Sequence, residues 1–175
     1  MILETERLIL RPWEESDAED VYLCAKDPQV GPNTGWPPHQ SLEESANILK
    51  TVLMTEENYA IVLKENGRVI GCLQAKPTNG SIEIEPEFGF WMGVPYWGKG
   101  YMPEAVRALL RHCFEDIGCE GVWCGYFPGN ERSRRVQEKC GFKPHHTETR
   151  FMDAMGEDRE ILYNYLSRAD WEARK

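Results

Sequence analysis

A strand–helix–strand run over residues 82–127 restricts this 175-residue chain more than any other feature. Ile82 to Met92 reads as a strand, Pro103 to Ile117 as a helix, and Val122 to Phe127 as another strand. The helix gathers Ala105, Val106, Leu109, Leu110, Cys113, Phe114 and Ile117 on one face, and Gly118 ends it. So wide an apolar face must be laid on a sheet, and a crossover helix makes the two strands it joins parallel. The turn that feeds this helix is Gly93-Val-Pro-Tyr-Trp-Gly-Lys-Gly100.

The flanking segments have a different grammar. Tyr59 to Lys64 and Val69 to Ala75 enclose Glu65-Asn66-Gly67, and Asn-Gly is the strongest short hairpin signal. Asn79-Gly80 repeats it ahead of the strand at 82–92, so these three strands should be antiparallel. Leu8 to Leu10 reads as a first strand, and Phe142 to Met152 and Ile161 to Leu166 as the last two. Ser16-Asp-Ala-Glu19 and Ser41-Leu-Glu-Glu44 are capping boxes that open two helices, the second with Ile48, Leu49, Val52 and Leu53 on one side. A Pro/Gly loop at 28–40 separates them, and a further helix runs from Asn130 to Cys140-Gly141. The pattern predicts a mixed α/β fold. One domain spans residues 1–175, with a mostly antiparallel sheet of six to seven strands and helices on both faces.

Charge narrows the function. The chain carries 29 acidic and 20 basic residues, net −9, which argues against nucleic acid or a membrane surface as partner. Residues 1–97 hold 16 acidic and 7 basic side chains, whereas 98–143 hold 6 and 8. A mildly basic island in an acidic chain suggests two ligands of opposite sign. None of the six cysteines lies in a C-x-x-C, so they read as small core residues of a cytoplasmic protein. The apolar run Tyr59–Leu63 is far short of the ~20 residues a membrane helix needs.

The glycine turn is where chemistry concentrates. Gly93, Gly98 and Lys99 nearly fit a nucleoside-triphosphate loop, but Gly100 replaces the Ser/Thr that would hold Mg²⁺, and Pro95, Tyr96 and Trp97 fill the loop. Glycines before a helix at the end of a strand still assemble backbone N–H groups and a positive dipole end, which is an anion site. A sharp strand–helix turn with no ligand would need the same two glycines.

Glu87-Phe-Gly-Phe-Trp-Met-Gly-Val-Pro-Tyr-Trp-Gly-Lys-Gly-Tyr101, followed by Pro103-Glu104-Ala105, resembles motif A of the GNAT N-acetyltransferases. The branch it resembles is typified by ribosomal-protein N-terminal-alanine acetyltransferases. Thr5-Glu-Arg-Leu-Ile-Leu-Arg-Pro12, Ser16-Asp17-Ala18 and Asn130-x-x-Ser133-x-Arg-Val-x-Glu138-Lys-Cys-Gly-Phe142 agree in order. The resemblance implies a splayed central strand and acetyl-coenzyme A as co-substrate, with its pyrophosphate on the backbone of Gly98, Lys99, Gly100, Tyr101 and Met102. In the superfamily signature, [QR]-x-x-G-x-[GA], the resemblance sets Trp97 at the first position and Met102 at the last, where a small residue is usual. Lys99, Arg134 and Arg135 become candidates for the 3′-phosphate, or solvated helix charges. A free N–H around Trp91 or Met92 would polarise the thioester carbonyl.

For a base, Glu85 and Glu87 share a strand face, and Glu87 matches the branch. It would take the amine proton or bind the cation; a solvated face built from Glu83, Glu85 and Glu87 would look the same. For an acid, Gln137 stands where many relatives have tyrosine, which leaves Ser133, a residue equally suited to bonding its own helix start. Asn130 would hold the pantetheine arm or cap its helix. His145 and His146, adjacent in a strand, should face opposite sides, and no metal site is expected. Trp13 and Trp36 read as packing residues, although loop 28–40 lies where this fold places acceptor contacts. The expected reaction is direct acetyl transfer to a primary, cationic amine by a monomer or homodimer. A coenzyme-A-binding module without turnover and an acidic scaffold compete with that reading.

Overall fold

The computed structural model describes residues 1–78 and 84–174. The order is β1 (Leu3–Glu4), β2 (Leu8–Pro12), α1 (Ala18–Ala25), α2 (Leu42–Ile48), β3 (Asn58–Leu63), β4 (Val69–Lys76) and β5 (Glu87–Met92). Then come α3 (Tyr101–Arg111), β6 (Gly121–Tyr126), α4 (Glu131–Lys139), β7 (Lys143–Met152), β8 (Glu157–Ser167) and α5 (Arg168–Glu172). One sheet runs β1-β2-β3-β4-β5-β6-β8-β7. β5 and β6 are parallel, as the crossover required, and the other neighbours are antiparallel.

Side-chain alternation sends the sheet's two faces into two cores. Along β3, Tyr59, Ile61 and Leu63 join Leu8, Ile70, Leu73, Leu109, Leu110 and Phe114 beneath α3. Ala60 and Val62 point the other way, to Trp13, Val21, Leu49 and Leu53 under α1 and α2. Both faces of β3 are therefore buried, which is why that strand is apolar at nearly every position. The predicted face is buried from Ala105 in α3 to Phe114 in the π-helical turn His112–Ile117 that continues it, and Gly118 closes the helix at φ 87°.

Several expectations are corrected. The sheet has eight strands rather than six or seven, because the two-residue β1 adds an edge too short for any periodicity. The Asn79-Gly80 turn and the start of the strand predicted at Ile82 lie outside the described residues, and β5 begins at Glu87. Pro86, which cannot donate to a ladder, precedes it. The capping box at Ser16 is not the one that forms: Asp17 instead accepts the Glu14 N–H at 2.9 Å and pairs with Arg11 through both carboxylate oxygens. At the second helix Ser41 caps as predicted, accepting the Glu44 N–H, while the Glu44 carboxylate reaches back one residue further, to the Gln40 N–H. α3 starts at Tyr101, since Pro103 is tolerated in a first turn. β8 is longer than predicted, and α5 follows it.

His145 and His146 do not face opposite sides. The β7–β8 register slips between Pro144 and His146, and this bulge turns both rings the same way. Their Nδ1 atoms lie 2.7 Å apart, and both rings meet Trp123 edge-on.

The entry to α3 is braced from the opposite end of the chain. Glu104 in the first turn accepts the Thr5 hydroxyl, the Arg7 backbone N–H at 3.0 Å and the Arg7 Nε at 2.8 Å. Burial works against the Glu104 carboxylate, yet these bonds and the Arg7 charge outweigh it and hold its pKa below the usual range. A carboxyl depressed by folding contributes stability that is present above its unfolded pKa of about 4.3 and lost as pH falls through the folded value. Glu104→Gln should therefore cost about 1 kcal/mol at pH 7. Urea denaturation at pH 7 and pH 3.5 measures this, and the gap between variant and parent should close at the lower pH.

Candidate active site

β5 is laced to β4 over six consecutive pairs, Lys76↔Glu87 to Gly71↔Met92. On its other side it meets β6 at only two, Glu87↔Trp123 and Phe88↔Cys124, and beyond Phe88 the strands part. The Gly93 N–H donates to Ile70 O at 2.9 Å and fixes the phase of the β4–β5 ladder. By the alternation of an antiparallel pair, the backbone of Gly89 and Trp91 then faces β4, while the N–H groups of Phe90 and Met92 face the gap that β6 has left. The Met92 carbonyl on that side accepts the Trp97 indole N–H at 2.8 Å.

At the open end of the gap the chain turns into α3. Gly98 and Gly100 take φ of 74° and 79°, the left-handed region where a side chain is strained. A Cβ added at Gly98 would meet nothing within 4 Å, so this stretch of backbone is uncovered. Tyr101 and Met102 present N–H groups at the helix start, Pro103 has none, and the Glu104 N–H makes a helical bond to Gly100 O. Arg7 takes the Lys99 carbonyl at 2.9 Å and stacks on the Tyr101 ring at 4.4 Å, which sets the turn from behind. The Met102 side chain is buried in the core beneath α3, so its bulk lies in the packed interior.

A cleft of about 1080 Å³ runs along this gap. Of the residues singled out from the sequence, Glu87, Trp91, Met92, Trp97, Gly98, Gly100, Tyr101, Met102, Asn130, Ser133 and Arg135 line it. Lys99 is exposed and is not among its lining residues. Arg134 turns along its own helix to Glu131 and Glu138, away from the role considered for it. Arg132, which the sequence reading passed over, lines the cleft with its guanidinium 3.6 Å above the Trp97 ring centre. Arg132, Arg135 and Lys139 together form a basic wall beside the bare glycine turn. Bare N–H groups with cations nearby suit a phosphate-bearing ligand.

Asn130 Oδ1 accepts the Ser133 N–H at 3.3 Å, the capping role, and its Nδ2 donates to Asn33 O in the loop after α1. Gln137, at the position where tyrosine was considered, is buried. Its amide donates to Gly125 O and to Ser133 Oγ, both at 3.1 Å, and accepts from Asn164 at 2.8 Å. Because Ser133 Oγ is already an acceptor, its own proton is free to be donated.

Glu87 opposes Lys76 at the closed end of the gap. Beside it the Tyr163 hydroxyl pKa is pushed up, first by burial and then by the Glu87 charge. Glu85 belongs to neither β5 nor the cleft: it accepts the Trp123 indole N–H at 3.0 Å and the Tyr165 hydroxyl at 2.7 Å, which makes it a structural acceptor. Trp13 is buried, whereas Trp36 lines the cleft edge-on to Trp91 with ring centres 6.0 Å apart. All six cysteines are buried. Burial pushes the Cys24 and Cys72 thiols up to about 12. Among the described residues, no group of three or more His, Cys, Asp or Glu side chains could hold a metal ion, and no helix is long and apolar enough to cross a membrane.

Comparison with known proteins agrees with this architecture. The N-acetyltransferase YoaA of Bacillus subtilis is 26% identical over 147 residues, covering 81% of this chain and 82% of that protein. The crystal structure of a GNAT-family acetyltransferase from Bacillus anthracis superposes with a TM-score of 0.86 at 23% identity, covering 97% and 99% of the two chains. The ribosomal-protein-S5-alanine acetyltransferase of Vibrio fischeri superposes at 0.75 with 20% identity, covering 98% of each. At such identities the structural likeness speaks for the fold alone. The model of the acetyltransferase (GNAT) domain matches residues 7–143, most of the chain, and the protein belongs to the GNAT acetyltransferase family.

Proposed function

We propose that residues 1–175 act as one cytoplasmic acetyltransferase domain, which moves the acetyl group of acetyl-CoA to a primary amine by direct attack in a ternary complex. The observation that carries this reading is the parting of β5 from β6 after Phe88, which turns the Phe90 and Met92 N–H groups into a cleft with a bare glycine turn on one side and Glu87 on the other. Acetyl-CoA supplies the activated acyl carbon and a thiolate leaving group. Its phosphates suit the backbone of Gly98, Gly100, Tyr101 and Met102 and the wall of Arg132, Arg135 and Lys139. The Met92 N–H, with Phe90 beside it, is the donor for the thioester oxygen, where charge grows as the amine attacks.

Glu87 takes the ammonium proton through water, and the freed amine forms the new C–N bond. As the C–S bond breaks, the sulfur takes its proton from Ser133, whose Oγ is oriented by the Gln137 amide, and the proton that the newly acylated nitrogen sheds restores the Ser133 hydroxyl. A covalent acyl-cysteine route finds no support, since Cys72 and Cys124, the cysteines that line the cleft, are buried thiols with raised pKa. The acidic N-terminal part of the chain, which supplies Glu87 and loop 28–40, favours a cationic acceptor.

Binding and turnover test this in sequence. Acetyl-CoA at a hundredfold excess over its Kd should stabilise the protein by about 2.7 kcal/mol. An amine panel should then release free thiol; binding without release would mark a coenzyme-binding module. Glu87→Gln should lower kcat/KM about 100-fold while acetyl-CoA binding persists. Unchanged turnover would remove Glu87 from the mechanism. Ser133→Ala should lower kcat by about tenfold or more with the same acetyl-CoA affinity, read by steady-state kinetics beside calorimetric titration.

A further inference from the structure

We infer that Gln74 and Lys76 form a subsite that reads an oxygen beside the acceptor's amine, so that the substrate is an α-aminoacyl group with a large apolar side chain. This rests on the acetyltransferase reading above. An indole N–H can only donate, and that of Trp13 donates to Asn58 Oδ1 at 2.9 Å. Asn58 must therefore present its Nδ2 to Gln74, and it donates to Gln74 Oε1 at 2.9 Å. Gln74 in turn can only direct its Nε2 onward. The buried indole thus fixes the direction of the relay, and the end of the relay is an amide NH₂ in the cleft.

Gln74 Nε2 lies 3.3 Å from where a Cβ on Gly89 would sit, and Lys76 Nζ lies 3.3 Å from the same point. Glycine at 89 leaves both nitrogens uncovered, and Gln74, Lys76 and Gly89 all line the cleft. Two N–H donors, one of them cationic, converging over bare backbone call for an oxygen acceptor. Along the same face of β5, Glu87 lies two residues to one side and Trp91 two residues to the other, each about 6.6 Å away along the strand. Trp91 is backed by Trp36, which makes that end apolar and aromatic. Carboxylate, donor pair and aromatic corner thus lie side by side on one face, a set matched by an amine, its neighbouring carbonyl or carboxylate, and an apolar side chain that share one carbon. A polyamine offers no oxygen and no aromatic group to this row.

Three acceptors of one shape test the subsite: phenylethylamine, which lacks the oxygen, phenylalaninamide, a neutral carbonyl, and phenylalanine, a carboxylate. The protein should prefer at least one oxygen-bearing acceptor over phenylethylamine by about tenfold or more in kcat/KM. Preference for the amide marks an N-terminal residue as the source, and preference for the acid a free amino acid. Gln74→Met should shrink the preference, and Lys76→Met should shrink it more for the acid. Trp13→Phe, which keeps the ring and removes only the N–H, should shrink it mainly through KM. Equal use of all three acceptors, or variants that lower every rate by the same factor, would overturn the subsite. Thiol release and calorimetric titration of the three compounds, run side by side, separate the two claims: no thiol release with any amine sinks the acetyltransferase reading, and identical binding of all three sinks the subsite.

Discussion

β5 is tied to β4 over its whole length and to β6 at only two residue pairs, and what the molecule can bind follows from that imbalance. A parallel pair that continued past Phe88 and Cys124 would have consumed the Phe90 and Met92 backbone groups in the ladder. Because it stops there, the sheet opens a wedge in its own middle, and polar backbone that would normally be satisfied internally is offered to a ligand. The wedge is held open rather than left loose. Trp97 occupies the Met92 carbonyl, Gly93 is pinned to Ile70, and the β6 side is tied to α4 through Gln137 and Gly125 O.

Two polar groups, the half-buried Glu104 and the buried Gln137, organise the rest. Glu104 collects Thr5 and Arg7 and so couples the first turn of the chain to the start of α3, while Arg7 reaches on to the Lys99 carbonyl. Gln137 collects Gly125, Ser133 and Asn164 and so joins β6, α4 and β8 at one point. Each is a polar residue whose bonds are satisfied by the protein, the condition under which burial is affordable. Both sit directly behind groups that line the cleft. The site is therefore preorganised from behind, by the same contacts that hold the two halves of the sheet to their helices.

Much of this was legible in the residues. The wide apolar face at 105–114 demanded a sheet and a parallel crossover, and Asn66-Gly67 fixed a hairpin. The ordered motifs from Thr5 to Phe142 pointed to the family, and the glycines at 98 and 100 to the turn. What escaped was set by tertiary geometry. The bulge after Pro144 cannot be seen in a string of residues, so His145 and His146 were expected on opposite faces. Glu83, Glu85 and Glu87 look alike in alternation, yet Glu85 is taken by Trp123 and Tyr165, and Glu83 lies outside the described residues. Arg132, Arg134 and Arg135 differ only in helical phase, which decides which of them reaches Trp97 and which turns to its own helix. Gln74 left one faint signal, a lone amide in a strand that is apolar up to it, but its direction depends on Trp13 and Asn58, which are distant in sequence.

The chemistry proposed for the cleft requires that the gap between β5 and β6 holds the reacting thioester. A crystal structure of the protein with a non-hydrolysable acetyl-CoA analogue tests it most directly. The carbonyl oxygen of the analogue should lie within hydrogen-bond distance of the Met92 or Phe90 N–H, with the phosphates over Gly98 to Met102. An analogue seated elsewhere, with that gap filled by water and the Met92 N–H turned away from the thioester, would contradict it.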